Sequence, residues 1–287
     1  MTVTPDRPAL DVARVRRDLV GPARALRRLD VVETTGSTNA DLLARHAAGE
    51  DISGAVLIAE HQSAGRGRQG RPWSTPARSQ IALSVGVSAD GRPPSDWGWL
   101  PLLTGVAVAD AVHATTGISP GLKWPNDILV GGGKLGGILA EVASPAPVVV
   151  VGLGVNVTLT APEKEHVAPD ATSLLMLGST MLDRSALLGS ILAELSARID
   201  RWQSGGPDPE LIADYRARSI TLGTRVRALL PGDREIIGTA TDLDELGHLH
   251  IDTGAQTVVV SAGDITHLRP AVDGWVQRSN ARDITTR

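Results

Sequence analysis

Three polar clusters in this chain have the residue types and spacing to do chemistry: Ser37-Thr38-Asn39, the stretch from Glu60 to Trp73, and the run from Lys123 to Lys134. The second reads Glu-His-Gln-Ser-Ala-Gly-Arg-Gly-Arg-Gln-Gly-Arg-Pro-Trp, interleaving Gly65, Gly67 and Gly70 with Arg66, Arg68 and Arg71. Glycines let a backbone curl around a ligand, and guanidinium groups are permanently charged forks shaped for phosphate and carboxylate oxygens. Composition alone reads such a run as a solvated, flexible loop. Set beside Lys123, Asp127 and Lys134, it suits phosphoryl or nucleotidyl transfer, where catalysis is mostly positioning and neutralisation of charge on phosphate oxygens. The parts of hydrolytic machinery are missing. There is no cysteine, no Gly-x-Ser-x-Gly elbow and no His-Glu-x-x-His pair, and Gly131 to Leu135 lacks the Walker A spacing.

Each cluster falls at the end or turn of an expected sheet element, the usual place for a site on a rigid scaffold. Asp11 to Arg28 carries Val12, Val15 and Leu19 at helical spacing before Gly21-Pro22, so one amphipathic helix is expected there. A strand at Val31 to Glu33 precedes a helix from Ala40 to Ala48, and Thr38 with Asp41 three residues on resembles a capping box. Strands are expected at Ala55 to Glu60 and Gln80 to Val87, and a buried helix runs from Pro101 to Gly117. Gly131-Gly132-Gly133 turns a hairpin between Ile128–Val130 and Lys134–Val142, and Val148 to Val157 reads as a strand broken at Gly152 and Gly154. Asp183 caps a long helix whose apolar stripe, Leu187 through Trp202, faces a core, and Asp208-Pro209 opens a shorter one through Arg218. After Leu222-Gly223 only short strand-like runs follow, the pattern of a small β-barrel.

Composition narrows the class. The chain has 287 residues, enough for a sizeable core, with no Phe, one Tyr and six Trp, so aliphatic side chains fill most of it. A formal charge of −4 argues against a protein that coats nucleic acid and makes the arginine cluster a local feature. The absence of cysteine removes disulfides and thiolate chemistry and is consistent with a cytoplasmic protein. The first ten residues lack a signal core, and the apolar run near Ala146 to Val151 is too short to span a membrane.

Taken together, several motifs resemble those of biotin protein ligases. They are Gly65-Arg66-Gly67-Arg68-Gln69-Gly70-Arg71 with Trp73, Lys123-Trp124-Pro125-Asn126-Asp127, Gly133-Lys134-Leu135-Gly136-Gly137-Ile138-Leu139-Ala140-Glu141 and Gly152-Leu153-Gly154-Val155-Asn156-Val157, with Ser37-Thr38-Asn39 and Gln62. The resemblance spans Val31 to roughly Leu268. It implies an α+β fold: a catalytic domain of mixed β-sheet packed with helices, of the class II synthetase or biotin-lipoate ligase kind, plus a small C-terminal SH3-like β-barrel. The expected layout is an extension with a short helix at 1–30, a catalytic domain at 31–220, the barrel at 221–270 and a disordered tail at 271–287.

It also implies a reaction in two steps, with ATP, Mg²⁺ and biotin giving biotinyl-5′-AMP and pyrophosphate, followed by transfer to a lysine of a biotin carboxyl carrier domain of acyl-CoA carboxylases. By resemblance, Ser37, Thr38, Asn39, Gln62, Arg66, Gly67, Arg68 and Lys134 bind biotin, and Gly65, Arg68, Arg71, Trp73, Lys123, Asn126 and Asn156 bind the adenylate. Lys134, Asp127 and Arg66 are the candidate catalytic groups. Asp127 either orients and deprotonates the acceptor lysine or forms a structural ion pair with Lys123, and the sequence does not choose. No residues are singled out as Mg²⁺ ligands. Some relatives carry an N-terminal DNA-binding domain; with only 1–30 ahead of the first strand, a ligase without repressor function is expected, with no DNA or membrane partner, as a monomer or weak homodimer. Two rivals remain: a lipoate ligase of the same fold, and a nucleic-acid-binding module, against which the acidic charge and scarcity of stacking aromatics count.

Overall fold

The glycine and arginine loop leaves one strand of a large mixed sheet and returns into another, so the sheet sets its position. In the computed structural model, α1 (Ala13–Leu19), β1 (Arg28–Thr35), α2 (Thr38–Ala47), β2 (Ala55–Gln62), β3 (Gln80–Ser88) and α3 (Trp99–Thr116) come first. They are followed by β4 (Gly121–Lys123), β5 (Asp127–Val130), β6 (Gly133–Ala143), β7 (Val148–Asn156), α4 (Ala161–Lys164), α5 (Arg184–Gly205) and α6 (Pro209–Arg218). The C-terminal part holds β8 (Arg225–Leu230), β9 (Arg234–Leu243), β10 (Leu249–Asp252), β11 (Thr257–Val260) and β12 (Asp264–His267). The structure describes residues 5–145, 147–230, 234–261 and 264–267. The tail expected to be disordered lies outside them. Among the described residues no helix is long and apolar enough to cross a membrane.

The main sheet has the order β1-β2-β3-β7-β6-β5-β4. β1 and β2 run parallel, joined by α2, and the other neighbours are antiparallel. Strand periodicity sorts its two faces. Along β7, Val149, Val151, Leu153 and Val155 enter the large core with α3 and α5, while Val148 and Val150 join a smaller core under Leu42 of α2. Gly152 and Gly154 continue that second row, so the α2 face of the sheet becomes bare backbone near the N-terminus of α2.

The second sheet is antiparallel with order β11-β10-β9-β8-β12. Its inward residues, including Val226, Ala228 and Ala240, share the large core. Two indoles tie the parts together: Trp99 Nε1 donates to the Glu245 carbonyl at 2.8 Å and Trp124 Nε1 to the Gly247 carbonyl at 3.0 Å. Below the sheet lies an ion pair of Glu60 with Arg184 at 2.7 Å, whose side chains are 2% and 4% exposed. It also grips the N-terminal segment, since Glu60 Oε1 accepts from Leu10 N and Arg184 Nη2 donates to the Pro8 carbonyl.

Several local expectations are corrected. The first helix stops at Leu19, and the first strand starts at Arg28 and takes in Thr34 and Thr35. The α3 helix begins at Trp99, two residues before Pro101. Ser37, rather than Thr38, caps α2, its hydroxyl accepting from Ala40 N, while Asp41 bonds to Thr35. β7 is continuous through its glycines. Gly121–Lys123 and Asp264–His267 add two strands that periodicity did not reveal, being too short to display one.

Candidate active site

With Ser37 as the cap, Thr38 and Asn39 turn inward at the start of α2, where both are 3% exposed. Gln62 Oε1 accepts from Thr38 N at 2.9 Å and lies 3.2 Å from Thr38 Oγ1. Ser84 Oγ sits 2.7 Å from Thr38 Oγ1 and 2.6 Å from Asn39 Oδ1. An amide oxygen has no proton to give, so the Ser84 proton belongs to Asn39. Asn39 Nδ2 donates to Glu141 Oε2 at 2.8 Å and to the Leu139 carbonyl at 3.1 Å. This closed network fixes the polar end of the site, because each buried group in it has a partner.

The bare patch on β7 makes room for two side chains. A β-carbon on Gly152 would stand 2.3 Å from Asn39 Oδ1, and one on Gly154 would stand 2.5 Å from Trp73 Nε1. Trp73 therefore lies on the sheet itself, its Nε1 donating to Gln80 Oε1 at 2.7 Å. The Lys134 ammonium is 5.6 Å from the centroid of its ring, within cation–π range.

The glycine and arginine loop doubles back on itself. Gly67 N donates to the Arg71 carbonyl at 2.7 Å and Trp73 N to the Gly65 carbonyl at 2.8 Å. Arg66 pairs with Glu141 at 2.9 Å, and Arg68 Nη1 donates to Asn126 Oδ1 at 3.1 Å, so the loop is closed over the pocket. Opposite it, Lys134 Nζ meets Asp127 Oδ1 at 2.7 Å, whereas Lys123 Nζ is 3.9 Å from Asp127 Oδ2. The ion-pair partner of Asp127 is thus chiefly Lys134, not the Lys123 considered from sequence. Behind them Tyr215 is fully buried; burial first, then the Asp127 charge, pushes its phenol up, so it stays neutral.

Thr38, Asn39, Gln62, Trp73, Asp127, Lys134 and the loop arginines line one cavity of about 390 Å³. Its walls carry five cations, Arg66, Arg68, Arg71, Lys123 and Lys134, against two carboxylates, Asp127 and Asp170. That surplus, in an acidic chain, is an anion-binding field. The chain is 56% identical over 266 residues to the biotin–[acetyl-CoA-carboxylase] ligase of Mycobacterium tuberculosis, covering 92% of this chain and 97% of that protein. The chain belongs to the biotin protein ligase family. Residues 31–157 match the biotin/lipoate A/B protein ligase family, and 221–268 match the biotin protein ligase C-terminal domain. The bifunctional ligase/repressor BirA of Escherichia coli is 32% identical over 228 residues, 77% of this chain and 68% of that one. A biotin protein ligase from Aquifex aeolicus, solved in complex with biotin and ATP, superposes with a TM-score of 0.72 at 26% identity, covering 85% of this chain and all of that one.

Of the residues singled out in sequence, Ser37, Thr38, Asn39, Gln62, Arg66, Gly67, Arg68, Arg71, Trp73, Lys123, Asn126, Asp127 and Lys134 all line this cavity. Gly65 and Asn156 do not. A β-carbon on Gly65 would meet the Trp73 carbonyl at 2.3 Å, so that glycine shapes the loop's neck. Asn156 instead faces an adjoining small hollow bounded by Trp73, Ala168 and Asp170. Its Nδ2 donates to the Thr172 carbonyl at 2.9 Å, and its Oδ1 is buried with no hydrogen-bond partner among the described residues.

Sequence reasoning gave no role to Ser84 or Glu141, and missed Leu229 and Ile265, which the C-terminal sheet adds to the wall. Ser84 had a signal: a lone hydroxyl amid the apolar Ile81 to Val87. Among the described residues no group of three or more His, Cys, Asp or Glu could hold a metal ion. The cavity wall carries two carboxylates, Asp127 and Asp170, and a Mg²⁺ carried on nucleotide phosphates would need only one or two protein oxygens.

Proposed function

We propose that the protein activates biotin with Mg-ATP to biotinyl-5′-AMP and transfers the biotinyl group to a lysine of a carboxyl carrier domain. The observation that carries this reading is the joining of a closed polar network, Gln62, Thr38 and Asn39 backed by the buried Ser84, and a cationic end, Arg66, Arg68 and Lys134, in the lining of one cavity. The first suits a neutral, hydrogen-bonding ring system, and the second suits a carboxylate meeting a phosphate. A biotin carboxylate oxygen attacks the α-phosphorus as the bond to pyrophosphate breaks. Lys134 stabilises charge on both reacting groups, and doing so draws it away from Asp127.

Asp127, freed in this way, orients the incoming lysine and takes its proton, since only the neutral amine attacks the acyl carbon and expels AMP. Asp170, the wall carboxylate that is not paired with Lys134, would hold Mg²⁺, which would supply charge neutralisation when bound. The nucleotide lies at the Trp73 end of the cavity, against Ala168 and Asp170, with Asn156 lining the adjoining hollow. The loop 63–73 serves as the lid that keeps water from the anhydride.

The deciding experiment is pyrophosphate release from Mg-ATP with biotin or with lipoate. Release with biotin alone, followed by labelling of a carrier-domain lysine, is expected. Release with lipoate alone would reassign the substrate, and release with neither would end this reading.

A further inference from the structure

The nucleotide-facing wall, Val167 to Ala171, follows α4, a single turn of helix with no buried residue. So short a helix has no stability of its own and here buries no apolar face to compensate. Its order comes from polar ties. Thr160 and Glu163 close a capping box, with Glu163 Oε2 accepting from Thr160 N at 2.9 Å. The same carboxylate is gripped by the fork of Arg7, with Nη1 to Oε1 at 3.0 Å and Nη2 to Oε2 at 2.7 Å. Arg7 also donates through Nε to Thr158 Oγ1 at 3.1 Å and through Nη2 to the Thr158 carbonyl at 2.7 Å. The segment bearing Arg7 is itself clamped by the buried Glu60–Arg184 pair at Pro8 and Leu10.

From α4 the chain reaches the chemistry in a few residues. Lys134 N donates to the Asp170 carbonyl at 2.7 Å and Thr172 N to the Lys134 carbonyl at 2.9 Å, so the wall is hydrogen-bonded to the backbone of Lys134. We propose that Arg7 is a positioning residue of the adenylation site, acting through Glu163 to set the wall that receives the nucleotide. This rests on the reading that the nucleotide lies beside Trp73 and Asn156. Arg7 and Glu163 both fall outside residues 31–157 of the family match. The N-terminal segment thereby becomes a working part of the ligase site.

The test compares the full chain with Arg7→Ala, Arg7→Lys and Glu163→Gln in steady-state pyrophosphate release, varying Mg-ATP and biotin separately. Arg7→Ala and Glu163→Gln should raise KM for Mg-ATP about five- to tenfold and leave KM for biotin within about twofold. Arg7→Lys, which keeps the charge and loses the fork, should fall between. Hydrogen exchange over 160–172 should quicken in Arg7→Ala. An unchanged KM for Mg-ATP overturns the proposal, and so does an equal rise in both KM values, the mark of general loosening. Should Arg7→Ala fail to fold, the near-isosteric Glu163→Gln decides alone. A lack of biotin-dependent release by the unaltered protein is a separate failure, of the reading beneath.

Discussion

Gly152→Ala puts the assignment of the two ends of the cavity at risk. The added carbon would stand 2.3 Å from Asn39 Oδ1, where ordinary contact begins at 3.4 Å, so the amide must withdraw by about 1.1 Å. Its bond from Ser84, now 2.6 Å, would stretch to about 3.7 Å, beyond hydrogen-bond reach. A buried polar group left without its partner costs roughly 1–3 kcal/mol, and each 1.4 kcal/mol is about tenfold in affinity. KM for biotin in pyrophosphate release should therefore rise roughly ten- to hundredfold, with KM for Mg-ATP moving less than about threefold. Gly154→Ala is the counterpart. Its carbon would stand 2.5 Å from Trp73 Nε1 and break the bond to Gln80, so the larger rise should be in KM for Mg-ATP. If both variants moved the same KM, or if Gly152→Ala spared biotin, the polar end would not be where biotin sits.

Four further outcomes are expected. Lys134→Ala should cut the adenylation kcat about 10²- to 10³-fold yet slow transfer from supplied biotinyl-5′-AMP far less; equal losses in the two half-reactions would refute its role at the phosphate. Arg184→Ala strands the buried Glu60 and should cost about 3–5 kcal/mol in urea unfolding, whereas the apolar double replacement Glu60→Leu/Arg184→Met should lose less. The Arg7 fork, opposed by partial burial, holds the Glu163 carboxyl down from the usual 4.5 to about 2. A depressed carboxyl stabilises above its unfolded value and loses that contribution as pH falls through the folded one. The stability difference between the unaltered protein and Arg7→Ala should therefore be flat from about pH 6 to 8 and shrink as pH falls from 4.5 toward 2. Amide exchange over 63–73 should slow when biotin and Mg-ATP are both present; equal rates with and without them would remove the lid from the mechanism.

What was legible in the sequence was local. The loop from Gly65 to Arg71, the Lys123 to Asp127 run and the hairpin around Gly131 to Gly133 each carry their meaning in neighbouring residues, and the structure gathers nearly all of their polar members into one cavity. The small errors came from local rules outvoted by distant contacts. Thr38-x-x-Asp41 satisfies the capping pattern, yet Gln62 and Ser84 draw Thr38 into the site and leave the cap to Ser37. Gly152 and Gly154 look like strand breaks until it is known that Asn39 and Trp73 need the space above them.

The clamp on the N-terminal segment was illegible for a deeper reason. Glu60 opens the loop stretch and Arg184 follows a helix cap, 124 positions apart, and nothing at either place announces the other. Each reads as surface, because an isolated charge is rarely buried. Only the fold makes the burial tolerable, by bringing the two together and adding Leu10 N and the Pro8 and Gln80 carbonyls as partners. Burial of such a pair earns little net stability over apolar residues, so its persistence calls for another reason. One is at hand: it fixes the segment from which Arg7 reaches Glu163, and so links the underside of the sheet to the wall beside Lys134.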